Sequence, residues 1–174
     1  MGLRVFLALV AAALLVSPAS GSPLSKEPKN LILQRSDVPS GARKLPFSIS
    51  KSGALKVPKI GSVRHAEALY KAGTRYIGTV AFVFASPSAA RQAFTHVTSA
   101  PKGTFKTLHV AKLGDQQLAR GIFGRAVSSV VIAVRDDEVV WETSASFIPG
   151  LSQAKSVAAA MALARKQNAR VDHA

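Results

Sequence analysis

Histidines and carboxylates are the side chains from which a catalytic or metal site in this chain would be built. The four histidines are His65, His96, His109 and His173. None is separated from another histidine or from a carboxylate by a spacing typical of metal ligands. The sequence therefore predicts neither a metal site nor a cofactor.

Nucleophilic hydrolysis is the other chemistry considered. A serine hydrolase needs a nucleophile, a base and an orienting acid, and many carry the nucleophile in a Gly-x-Ser-x-Gly elbow. The chain has no such elbow and no glycine motif that would hold a phosphate. We predict no catalytic residue. The enzymatic alternative is a small hydrolase or lyase with a cleft in which His96 or His109 meets Asp115 or Glu142.

Alternating and helical patterns predict the elements that would position a site. Residues 74–85 alternate as a strand, and both faces are apolar towards its end, which favours a central strand. Ser86 and Pro87 are typical of a helix start, and the apolar spacing predicts a helix over 87–98. Later strands are predicted at 105–113, 117–123, 126–134 and 139–147, and an alanine-rich helix at 151–169.

The order of these elements predicts the fold class. Residues 50–64 are predicted as an exposed loop or irregular strand, and His65 and Glu67 as part of a loop that leads into a helix. Strand, strand, helix, four strands and helix, with short links between the later strands, is typical of an α+β fold. We expect a single domain over residues 31–170, with a mostly antiparallel sheet and its helices packed on one face.

The start of the chain has the layout of a secretory signal peptide: Arg4, the apolar run Val5–Val16, and small residues up to Ala19 or Gly21. The run is shorter than the about 20 residues that a spanning helix needs. We predict a signal peptide at 1–21, a flexible mature N-terminus at 22–30 and no transmembrane anchor after cleavage; an uncleaved anchor is the alternative. The protein is then secreted, periplasmic or associated with the cell envelope. Because there is no cysteine, disulfides and a lipoprotein anchor are excluded.

The charge of the chain is strongly basic, with a formal net charge of +14. Residues 26–75 hold eleven basic and three acidic residues, so the N-terminal third is the most electropositive part. Such a field attracts polyanions, and we predict electrostatic binding of an anionic envelope polymer or protein by Lys51, Lys56, Lys59 and Arg64. The alternative is that the charge only maintains solubility. Specific nucleic-acid binding is not expected, because few aromatic residues accompany the charge.

A ligand cleft is the remaining candidate site. Arg75, Tyr76, Trp141 and Phe147 would form a small aromatic and cationic cleft if they gathered on one face of the sheet. The alternative for Tyr76 and Trp141 is a place in the core.

Three stretches together resemble known proteins: SDVPSGARKL, VAFVFASPSAARQAF, and LGDQQLA followed by SSVVIAVRDDEVVWETSAS. They are similar to uncharacterised exported domains of actinobacteria and related bacteria, and more distantly to the extracytoplasmic sensor-like domains of mycobacterial kinases. The resemblance spans about Leu31 to Arg170. It implies an α+β module that faces the cell envelope and has no assigned reaction.

The leading hypothesis for function is an exported, non-catalytic binding module. Its partner would be an anionic envelope component, a protein or a small ligand. The alternatives are the small extracytoplasmic hydrolase described above and a structural protein with no specific ligand. The sequence does not indicate an oligomeric state.

Overall fold

The structure is a computed structural model that describes residues 26–47, 63–99 and 103–174. Within these ranges seven strands form one antiparallel sheet in the order β1-β2-β3-β7-β6-β5-β4. The α+β class and the antiparallel sheet are therefore confirmed. The elements in chain order are α1 (Pro28–Leu31), β1 (Arg43–Leu45), β2 (Val63–Ala72), β3 (Arg75–Phe84), α2 (Pro87–Ser99), β4 (Lys106–Thr107), β5 (Gln116–Phe123), β6 (Ser128–Asp136), β7 (Val139–Phe147) and α3 (Gln153–Asp172).

The strong local patterns are confirmed, namely the strands β3, β5, β6 and β7 and the helices α2 and α3. Two expectations about strands were wrong. The strand predicted over 105–113 is only two residues long, and His65 and Glu67 lie in the ten-residue strand β2 rather than in a loop before a helix.

Some predictions concern segments outside the described residues. The proposed signal peptide lies there, and so does the segment with Lys51, Lys56 and Lys59. Of the N-terminus predicted as flexible, residues 26–30 are described. The short helix α1 begins at Pro28 within them.

The helices lie on both faces of the sheet, whereas one face was expected. The α3 face carries Ile77, Ile132 and Trp141, which belong to one core cluster with residues of α1 and α3. The opposite face, the α2 face, carries Val80 and Phe82, which pack with α2 in a second cluster. The reason is that β3 and β6 carry apolar side chains on both faces, so each face must be covered.

Helix α3 is fixed to the sheet by a buried glutamine. The Oε1 atom of Gln167 accepts hydrogen bonds from the hydroxyls of Thr79 and Thr143, and its Nε2 donates to the carbonyl oxygen of Val80 at 3.0 Å. These bonds set the position of α3 across β3 and β7, because a buried polar group left unpaired is costly. None of the helices in the described ranges is long and apolar enough to cross a membrane.

Candidate functional site

One end of the sheet gathers three connections: the β2–β3 turn, the β5–β6 loop and the β7–α3 loop. Gly73 turns the chain between β2 and β3 with a φ of +59°, a conformation that glycine adopts readily. The backbone N–H of Ile148 donates to the carbonyl of Thr74 at 3.1 Å, and that of Gly150 donates to the carbonyl of Arg125 at 3.0 Å. The three connections are thus held against one another.

This end of the sheet is basic, and we call it the basic pole. Arg43 and Lys71 are directly paired across β1 and β2. Lys155 lies in the first turn of α3, where Ser156 is hydrogen-bonded to Ser128 at the start of β6. The α3 amino end has no acidic residue in its first turn and adds partial positive charge. Among the residues that the structure describes, the cations of the basic pole are Arg43, Lys71, Arg75, Lys106, Arg125 and Lys155.

The acidic residues of the chain lie away from the basic pole. Five of the nine lie at the other end of the sheet, around the β6–β7 turn, and the pKa of Asp136 is raised there by burial and then by the nearby carboxylates of Asp115 and Asp172. Because the long strands have nine or ten residues, about 30 Å separates the two ends. The five are Asp115, Asp136, Asp137, Glu138 and Asp172.

The other four acidic residues do not neutralise the basic pole either. Glu27 forms an ion pair with Arg64 at 3.2 Å, and Asp37 forms one with Arg170 at 2.6 Å. Glu67 and Glu142 both pair with Val80 across the sheet, which places them in the middle of the α2 face. Charge is therefore strongly segregated along the sheet.

One cation of the basic pole, Arg75, borders a cavity. The cavity has a volume of about 390 Å³ and is lined mostly by apolar residues. The Arg75 guanidinium lies over the ring of Phe147, 5.1 Å from its centroid, at a distance typical of a cation–π contact. Arg75 is half-buried, and it forms none of the three ion pairs among the described residues. The other main lining residues are Pro39, Ala72, Thr74, Pro149 and Leu151.

The structure brings only two of the four predicted cleft residues together. Arg75 and Phe147 are cross-strand partners and share the cavity. Tyr76 follows Arg75 directly on β3, so its side chain points to the α2 face, where the Lys71 ammonium lies 5.4 Å from its ring centroid. Trp141 is 0% exposed in the core of the α3 face. A cleft made of all four side chains does not form.

Of the predicted electrostatic contact, only Arg64 lies within the described residues. It is at the start of β2, at the end of the sheet opposite the basic pole. Its guanidinium is bound to Glu27 and donates a hydrogen bond to the carbonyl of Lys26 at 3.1 Å. Arg64 is thus part of the contact between the N-terminal segment and β2.

The residues of the hydrolase alternative lie apart. His109 lines a second cavity, of about 630 Å³, between the segment after β4 and the first turns of α3. Glu142 lies on the opposite face of the sheet, and the Asp115 carboxylate is paired with Arg135 at 2.8 Å. His96 lies on α2, and Glu142 makes no hydrogen bond to it. Among the described residues, no group of three or more histidines and acidic residues could hold a metal ion.

Glu142 is nevertheless unusual. The Oε2 atom is buried and has no hydrogen-bond partner within the described part of the chain. Burial raises the pKa of this carboxyl to about 8, because a low-dielectric environment disfavours the charged form. At neutral pH the side chain is therefore mostly protonated and uncharged. The sequence predicted Glu142 only as a candidate catalytic acid, and its burial follows from the packing of α2 on this face.

Comparison with known proteins identifies no family for this chain. No family model matches the chain, and no curated protein matches it. Among solved structures, the extracellular domain of PknH from Mycobacterium tuberculosis is similar, with a TM-score of 0.43 and 12% sequence identity over 87% of this chain and 98% of that chain.

The basic pole was not predicted from the sequence. Its six cations come from β1, β2, β3, β4, the β5–β6 loop and α3, so they are scattered along the chain. No linear charge run marks them. The signal that could have located them is topological: in an antiparallel sheet, the end of one strand and the start of the strand that follows it lie at the same end of the sheet.

Proposed function

We propose that this protein is an exported, non-catalytic binding module that engages an anionic component of the cell envelope through its basic pole. The observation that carries the proposal is that, within the described part of the chain, one end of the sheet has six cations and no carboxylate. The predicted signal peptide supports export.

Arg75 supports binding rather than a purely colloidal role for the charge. A half-buried guanidinium is ordinarily paired, because removing it from water is costly. Here the guanidinium rests on Phe147 at the edge of a cavity and forms no ion pair with any residue that the structure describes. Such a guanidinium is suited to bind a phosphate or carboxylate of a ligand, because its planar N–H groups can donate two hydrogen bonds to either group.

Retention on immobilised polyphosphate across a salt series tests this proposal. Neutralising three cations of the basic pole (Arg75→Gln, Arg125→Gln and Lys155→Gln) should weaken retention at every salt concentration. It should also reduce the slope of log retention against log salt by about one for each lost contact, because each contact releases a counterion.

Two parallel variants make the result specific. The control Arg91→Gln, Lys112→Gln and Arg165→Gln removes the same charge from exposed positions outside the pole and should affect retention much less. A variant neutralised at Lys51, Lys56, Lys59 and Arg64 tests the surface predicted from the sequence. If the control weakens retention as much as the pole variant does, only net charge matters and the proposal is wrong. If only the four-site variant weakens retention, the binding surface is the one predicted from the sequence and not the basic pole.

A further inference from the structure

Two large apolar side chains are exposed at the basic pole. Ile148 is 38% exposed and Leu151 is 36% exposed, and they are the exposed large hydrophobic residues of the described chain. Both lie in the β7–α3 loop, three positions apart. Exposed apolar residues that occur singly need no explanation, but here two of them lie in one short loop at the cationic end of the sheet.

The backbone of this loop is fixed, so the two side chains are presented rigidly. The N–H groups of Ile148 and Gly150 bond to the β2–β3 turn and the β5–β6 loop, as described above, and the N–H of Leu151 donates to the Ser128 hydroxyl at 2.8 Å. Gly150 packs so closely on the β5–β6 loop that a Cβ atom would lie 1.9 Å from the carbonyl oxygen of Gly124. The exposure of Ile148 and Leu151 is therefore built into the fold.

The surroundings of the two side chains are cationic. Arg125 belongs to the loop on which Gly150 packs, Lys155 lies four residues beyond Leu151, and Arg75 lines the same cavity as Leu151. Within the described ranges, no carboxylate lies at this end of the sheet. An apolar centre with a basic rim is the arrangement by which proteins bind the interface of a membrane that contains anionic lipids.

We propose that the basic pole docks on the surface of an anionic lipid bilayer, with Ile148 and Leu151 entering the boundary between headgroups and acyl chains and with Arg75, Arg125 and Lys155 contacting lipid phosphates. This inference rests on the proposed function, in that it names the anionic partner. A bilayer is favoured over a soluble polyanion because a hydrated polymer offers no apolar environment to Ile148 and Leu151.

Co-sedimentation with vesicles tests the inference, using the exported form without its predicted leader. The vesicles contain either phosphatidylcholine alone or phosphatidylcholine mixed with phosphatidylglycerol. Wild type should bind the mixed vesicles and not the neutral ones. The variant Ile148→Ser with Leu151→Ser should lower the partition coefficient roughly tenfold. The triple glutamine variant of the pole should lower it about a hundredfold.

The variant Ile148→Leu with Leu151→Met keeps the surface apolar and serves as the matched control, with binding close to that of wild type. Retention of the serine variant on polyphosphate should remain unchanged, which also shows that it is folded. If the serine variant binds mixed vesicles as wild type does, or if wild type binds neutral vesicles equally well, bilayer docking is overturned. In that case, retention on polyphosphate that still depends on the pole would leave the proposed function standing. Loss of that dependence would overturn both.

Discussion

The substitution Glu142→Gln is expected to stabilise the protein at alkaline pH by at most about 5 kcal/mol. The Oε2 atom of Glu142 is buried without a partner. Burial raises the pKa of the carboxyl from 4.5 to about 8, and each pKa unit corresponds to about 1.4 kcal/mol. This value is an upper limit on the gain in stability, because part of the Glu142 side chain remains accessible to water.

The direction of the pH dependence follows from the same shift. The pKa of Glu142 is higher in the folded state than in the unfolded state, so the contribution of this group to stability is fully present below its unfolded value of 4.5. It is lost progressively as the pH rises to about 8, because the unfolded chain releases the proton first. Above that pH the loss is complete, and the glutamine, which does not titrate, shows none of it.

Urea denaturation of wild type and Glu142→Gln across this pH range measures the effect. The free energy of unfolding of wild type should fall relative to that of the variant as the pH rises. A suitable control is Glu27→Gln, since Glu27 belongs to an ion pair whose side chains are 46% exposed. Its effect should stay within about 1 kcal/mol. Parallel pH profiles for wild type and Glu142→Gln would contradict a buried, neutral Glu142.

The second large effect is expected from Gly150→Ala, which should destabilise the protein by about 2–3 kcal/mol. A Cβ atom at Gly150 would lie 1.9 Å from the carbonyl oxygen of Gly124 and 2.8 Å from the carbonyl carbon of Val127. Both contacts are with backbone, so one of the two loops has to move. The hydrogen bond from Gly150 to the carbonyl of Arg125 is then lost or weakened.

Thermal or urea unfolding of the alanine variant measures this loss. Gly124→Ala in the partner loop is the matched control, because its nearest contact would be at 3.4 Å, the lower limit of ordinary van der Waals contact. The free energy of unfolding of Gly124→Ala should be close to that of wild type. Since the same loop carries Ile148 and Leu151, Gly150→Ala should also weaken vesicle binding. Wild-type stability in Gly150→Ala would show that the two loops are not closely packed.

Much of the fold could be predicted because its signals are local. The β6–β7 hairpin and the strand β3 follow from alternation, and α2 follows from Ser86 and Pro87 at its start. Strand β2 was missed, because its sequence VRHAEALYKA contains several good helix formers. Its strand conformation depends on pairing with β3 along its whole length, which is a tertiary effect.

The candidate site was less predictable for the same physical reason. Arg75 and Phe147 are far apart in sequence, and only the pairing of β3 with β7 makes them neighbours. The two-residue period of a strand could have shown from the sequence that Tyr76 and Arg75 lie on opposite faces of the sheet. Trp141 shares a face with Phe147, but it lies in the middle of β7, where the packing of α3 buries it. Position along the strand therefore decided that Phe147, and not Trp141, borders the cavity.

The most direct test of the central claim is hydrogen exchange of the protein without its predicted leader, with and without polyphosphate. If the basic pole is the binding surface, added protection should appear in the peptides that cover the β2–β3 turn, the β5–β6 loop and the β7–α3 loop. The β6–β7 turn at the acidic end should be unchanged. Protection confined to the segment with Lys51, Lys56 and Lys59, with no change at the pole, would contradict the account.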